Sequence, residues 1–81
     1  MMPQRILRLP EVKTLTGMSR SSIYLRISEL LWPRPLPLGR RMVGWPSSEI
    51  AAINAARIRG DSDDEIRALV VSLVAARKSA A

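Results

Sequence analysis

The stretch Thr16-Gly17-Met18-Ser19-Arg20-Ser21-Ser22-Ile23-Tyr24 decides the fold. Glycine tolerates the left-handed backbone that closes a helix, so Gly17 marks a stop. Ser19 carries the short hydroxyl that accepts an amide proton at the start of the next helix, so it marks a beginning. With only Met18 between stop and start, two short helices must follow each other across a tight turn, the helix-turn-helix pattern. Upstream, Pro10 suits a first helical turn and Glu11 answers the positive end of the helix dipole. A helix over 10–16 is predicted, with Val12 and Leu15 on its inner face. Downstream, Ile23, Ile27, Leu30 and Leu31 recur at helical spacing and predict a helix from Ser19 to about Leu31 with one apolar side.

Beyond that helix, Trp32-Pro33-Arg34-Pro35-Leu36-Pro37 places three prolines at alternate positions, which removes amide donors and favours extended backbone. An edge strand tolerates such a segment. Leu36-Pro37-Leu38 and Met42-Val43-Gly44-Trp45 flank Gly39-Arg40-Arg41, the length and chemistry of a hairpin. Two strands alone are marginal, so Val43 and Trp45 are expected to hold the ribbon against the helices, leaving Arg40 and Arg41 projecting as a wing. Both tryptophans, Trp32 and Trp45, are read as core residues. Arg5 to Leu9 reads as a short extended lead-in whose arginines, Arg5 and Arg8, face water.

A third helix is predicted to run from a cap at Ser47 or Ser48 to about Arg59, with Ile50, Ile53 and Ala56 or Ala55 inward and Gly60 as its stop. A fourth begins at Asp61 or Ser62. Its first turn holds Asp63, Asp64 and Glu65 and its last Arg77 and Lys78, as the helix dipole favours. The acids are read as capping, because a calcium loop of the EF-hand type needs about twelve residues and a central glycine. Ile66, Leu69, Val70, Leu73 and Val74 form a stripe that must be covered, either by the core or by the same helix of a second copy. The expected fold class is mainly α with a small β-hairpin: a winged helix-turn-helix over residues 1–59, followed by a C-terminal amphipathic helix over 60–81.

At 81 residues the chain has room for one domain. Cysteine and histidine are both absent, which excludes disulfides, thiolate metal sites and the commonest acid-base group. Glu11, Glu29 and Glu49 stand far apart in sequence, so no catalytic set, metal or cofactor is expected. No stretch approaches the ~20 apolar residues of a membrane span, and Met1-Met2-Pro3 opens no apolar run of leader length, which predicts a cytoplasmic protein. The net charge is +6, and residues 1–46 hold all of the excess, with eight bases against two acids, whereas residues 47–81 hold five of each. A polyanion facing the first half is implied, and the preference for arginine over lysine suits forked contacts to phosphates and guanine edges.

Leu9-Pro10-Glu11-Val12, the Thr16 to Tyr24 string, Trp32 before Pro33-Arg34-Pro35, Leu38-Gly39 and Val43-Gly44-Trp45 together resemble the AlpA family of prophage regulatory proteins, in register from about Arg5 to Ile53. The resemblance implies a winged helix-turn-helix related to the MerR and excisionase folds and a small DNA-acting regulator, often of integrase genes or of excision. It implies a reading helix at Arg20, Ser21, Ser22 and Tyr24, and a wing at Arg40 and Arg41. The chain departs from the family pattern at Leu25, where relatives place an arginine, and at Glu29-Leu30, where they place a basic residue and a glycine.

The expected function is therefore a sequence-specific regulator of transcription that binds double-stranded DNA, on a prophage or mobile element. Ser19, Arg20, Ser21, Ser22, Tyr24 and Arg26 are its expected contacts from the reading helix, with Tyr24 also partly in the core. Arg40 and Arg41 contribute from the wing, and Arg34 and Lys13 reach the backbone. The alternative is an excision factor that bends DNA beside an integrase, and a third reading is an RNA- or protein-binding module. Self-association through Ile66, Leu69, Val70, Leu73 and Val74, as a homodimer or a cooperative oligomer on DNA, would lengthen the site read.

Overall fold

A computed structural model describes residues 5–79; the expectation of no leader at Met1-Met2-Pro3 lies outside the described residues. Gly17 closes helix α1 (Leu9–Thr16) at φ 70°, with its amide on the Lys13 carbonyl at 2.9 Å. Ser19 opens helix α2 (Arg20–Ser28) by accepting the Ser22 amide at 3.2 Å. Helix stop and helix start thus fall where the residue types require.

The ribbon has three strands rather than the expected two. Strand β1 (Ile6–Arg8) pairs antiparallel with β3 (Met42–Pro46), which pairs antiparallel with β2 (Leu36–Gly39), in the order β1-β3-β2. The segment read as a lead-in is therefore an edge strand. The reason lies in the core: Leu7 stands opposite Trp45, and both are buried. Pro37 lies on the other edge strand, where its missing amide can face away from the ladder. Gly44, mid-way along the central strand, has no room for a side chain, since a Cβ there would lie 2.7 Å from Ile6 Cγ2 and 2.9 Å from Leu38 Cδ1.

Val12, Ile23, Leu31, Trp32, Trp45, Ile50 and Ile53 form the centre of the core. Trp45 Nε1 donates to the Pro33 carbonyl at 2.8 Å, which ties the proline segment to the central strand. Trp32 is equally buried, and its Nε1 has no partner among the described residues. Leu15, expected inward, is exposed. The last turn of α1 is held instead through its carbonyls, with Asn54 Nδ2 donating to Leu15 O at 3.0 Å and Arg57 to Thr16 O at 3.3 Å.

Helix α2 ends three residues before the expected Leu31. Leu30 takes φ 64° and its amide bonds to the Ile27 carbonyl, while the Leu31 amide reaches back to Arg26 O at 2.8 Å. This is a Schellman-type cap with leucine where glycine is usual. Leu30 consequently points outward, 66% exposed, and Leu31 alone turns into the core.

Helix α3 (Ser47–Arg59) begins after Pro46, not after a serine cap, and Ser47 instead bonds to Arg5, its amide to Arg5 O at 2.8 Å and its Oγ from the Arg5 amide at 3.3 Å. Ala56, not Ala55, faces inward. At the turn to helix α4 (Asp63–Ala76), Arg59 forks onto Asp61 at 3.3 and 2.8 Å. The hydrogen bond raises the guanidinium pKa and holds the Asp61 carboxyl below the usual aspartate range. That contribution is complete above the ordinary aspartate pKa and fades as pH falls through the lowered one. Ser62 caps α4 in a capping box with Glu65.

Within the stripe of α4, Ile66 and Val70 are buried in the chain's own core, and Leu69, Leu73 and Val74 rest half-buried against it. The helix continues into a 3-10 turn (Arg77–Ser79) whose first residue closes the structure. Arg77 grips the Glu49 carboxylate with two bonds of 2.7 Å and reaches the Arg34 carbonyl with a third. Glu49 is only 3% exposed, so the arginine is what permits its charge inside. Arg77→Met should therefore destabilise the fold by about 3 kcal/mol, and Glu49→Leu added to it should recover most of that loss, as read by thermal unfolding.

Candidate nucleic-acid interface

Three hydroxyls gather at the N-terminus of α2. Ser19 Oγ lies 2.9 Å from Ser22 Oγ and 3.2 Å from Ser21 Oγ while it accepts the Ser22 amide. Ser19, Ser21 and Ser22 are all exposed, so the positive end of the helix dipole and a cluster of short donors face solvent together. One turn along, the Arg20 guanidinium sits over the Tyr24 ring at 5.5 Å from its centroid. Tyr24 is 36% exposed, partly covered as expected, and the open part of its ring steadies the arginine.

The wing comes to the same place. Arg8 and Pro10, Arg20 and Tyr24, and Arg41 and Val43 line one concave surface of about 430 Å³. Its three cations arrive from β1, from α2 and from the hairpin turn. Arg41 holds φ 62°, a left-handed backbone that costs a non-glycine residue about 1 kcal/mol. Strain of this kind persists where the surrounding structure, here the hairpin turn, fixes the backbone.

Other expected contacts are placed elsewhere. Arg40 is exposed beside Arg41 but does not line the concavity. Arg26 is half-buried, with its Nε partnerless among the described residues. Arg34 lines a different groove together with Lys78, and Lys13 is exposed on α1. Leu25 projects from α2 into solvent. Sequence reasoning missed Arg8, which joins the cationic surface only because β1 pairs with β3. The α1 anchors Asn54 and Arg57 were missed too, being polar residues of an otherwise ordinary helix face whose partners lie about forty positions away.

A helix-turn-helix with a three-stranded wing and a further C-terminal helix is the class this geometry defines. The chain belongs to the AlpA family: the family model described as prophage CP4-57 regulatory protein (AlpA) matches residues 5–57. It is also similar to "Uncharacterized protein ORF88" of Enterobacteria phage P4, with 46% identity over 57 residues, or 70% of this chain and 65% of that protein. The chain thus spans just under two thirds of that relative. No solved structure matches. The family is described as one of prophage regulatory proteins. No helix among the described residues is long and apolar enough to cross a membrane. Because Ser19 satisfies the first turn of α2, Ser19→Ala should cost about 1 kcal/mol of stability and Ser19→Asp much less, measured by urea unfolding.

Proposed function

We propose that the chain is a sequence-specific, double-stranded DNA-binding regulator of transcription on a prophage or mobile element. The observation that carries this reading is the convergence of Arg8, Arg20 and Arg41, from three separate elements, on one exposed concave surface. An α-helix fits the major groove of B-DNA, and α2 presents Arg20 with Ser21 and Ser22 at its leading end, the end that meets base edges and phosphates in this motif. With α2 in the groove, Arg41 and Arg8 lie against the flanking backbone and Arg40 extends the contact from the wing tip. The excess positive charge of residues 1–46 and the regulatory character of the family support the same reading.

Binding to fragments enriched from a random DNA pool tests it. If about four to six phosphates are neutralised, log K falls with log salt at a slope of roughly −4 to −5. Arg20→Ala weakens binding about tenfold, in the range of a lost arginine contact. Arg41→Gly separates function from stability: relief of the left-handed strain roughly offsets the chain entropy that glycine adds to the unfolded state, so stability changes by less than about 1 kcal/mol, yet affinity falls about tenfold. Affinity indifferent to salt, or unchanged in Arg41→Gly, overturns the reading.

A further inference from the structure

The stripe of α4 that faces the core leaves a second stripe facing out. Asp64, Ala68, Val71 and Ala75 follow at intervals of four, three and four, the spacing of a coiled-coil seam, and Lys78 follows in the 3-10 turn just beyond the helix; all are exposed. Val71, at the midpoint, is 70% exposed, whereas the other two valines of α4 turn toward the core, Val70 buried and Val74 half-buried. It does not stand alone. Ile27, Leu30, Val71 and Ala75 line a groove of about 470 Å³ between the end of α2 and the end of α4, with Arg34 and Lys78 also on its wall. Two large apolar residues, Leu30 and Val71, thus stand exposed beside one concavity.

The charges name the occupant. Acid stands seven residues before Val71 and base seven residues after it. Two such stripes running antiparallel set Asp64 of each copy opposite Lys78 of the other, with Val71 on the two-fold axis. A parallel pair would set like against like. The Asp64 side chain is 96% exposed and meets Arg67 at 3.3 Å from one side, leaving its outer side open. The partner's acidic first turn would also approach Arg34, which the Arg77 hydrogen bond to its carbonyl holds beside Lys78. Alanines on both sides of the axis allow the helices to come close.

We propose that this outer face of α4, together with the groove beside it, binds the same face of a second copy in an antiparallel, two-fold arrangement. The outward row of Ala68, Val71 and Ala75 is separate from the core-facing Ile66, Leu69 and Leu73, while Val70 and Val74 of that stripe also line the groove. An isologous contact doubles every favourable pair. A helix of fourteen residues spans only about 21 Å, so the interface falls at the small end of the range and association depends on concentration. The proposal does not depend on DNA binding.

Sedimentation equilibrium of the full chain without DNA tests it. The wild-type mass rises from monomer to dimer with concentration. Val71→Glu, which sets two carboxylates on the axis, weakens association by at least about tenfold while the dilute chain melts as before. The charge pair gives a second test that does not rely on Val71. Chains carrying Asp64→Lys or Lys78→Asp self-associate poorly alone, and mixing the two restores dimer, because each then meets its opposite. A chain that stays monomeric at every concentration overturns the proposal, whatever other partner the groove takes. So does a dimer indifferent to Val71→Glu, or a mixture that shows no recovery.

Discussion

The whole arrangement depends on Trp45. It sits on the middle strand, buried, with its indole nitrogen on the Pro33 carbonyl. One side chain therefore joins the sheet, the core and the proline segment that leads into the wing. A two-stranded ribbon on its own is marginal, and this anchor, with β1 laid along the other side of β3, makes it rigid. Rigidity matters because the arginine at the turn, Arg41, has to stand beside Arg20 of a helix far away in sequence.

A second constraint holds the far end of the molecule. Glu49 lies at the start of α3, with its charge almost wholly removed from water, a state that is tolerable only while Arg77 grips it. Since Arg77 also bonds to Arg34 O, the end of α4, the start of α3 and the path into the wing are one unit. An apolar pair would hold the helices as well. The ion pair adds direction, because its bonds are satisfied only when the last turn of α4 is seated in one register.

Much of this was legible beforehand, and for local reasons. Gly17 and Ser19 mark a stop and a start whatever lies around them, and Ser62 with Glu65 forms a capping box from four consecutive residues. The Pro-Arg-Pro-Leu-Pro run excludes helix by covalent geometry alone. Leu30 shows the limit of such reasoning: its spacing from Ile27 argued for burial, but the helix had already ended, and the left-handed turn sent the side chain outward.

The sequence by itself determined the helix stop at Gly17, the starts at Ser19 and Ser62, the break at the proline run, and which half of the chain carries the positive charge, because those are properties of neighbours within a few residues. Only the tertiary structure decided that a third strand completes the ribbon, that Arg8 joins Arg20 and Arg41 while Arg34 does not, and that Glu49 finds Arg77. Each of these joins residues far apart in the chain. Side-chain periodicity records which way a residue faces, not what it will meet there, and that is settled by how the faces are stacked around a shared core.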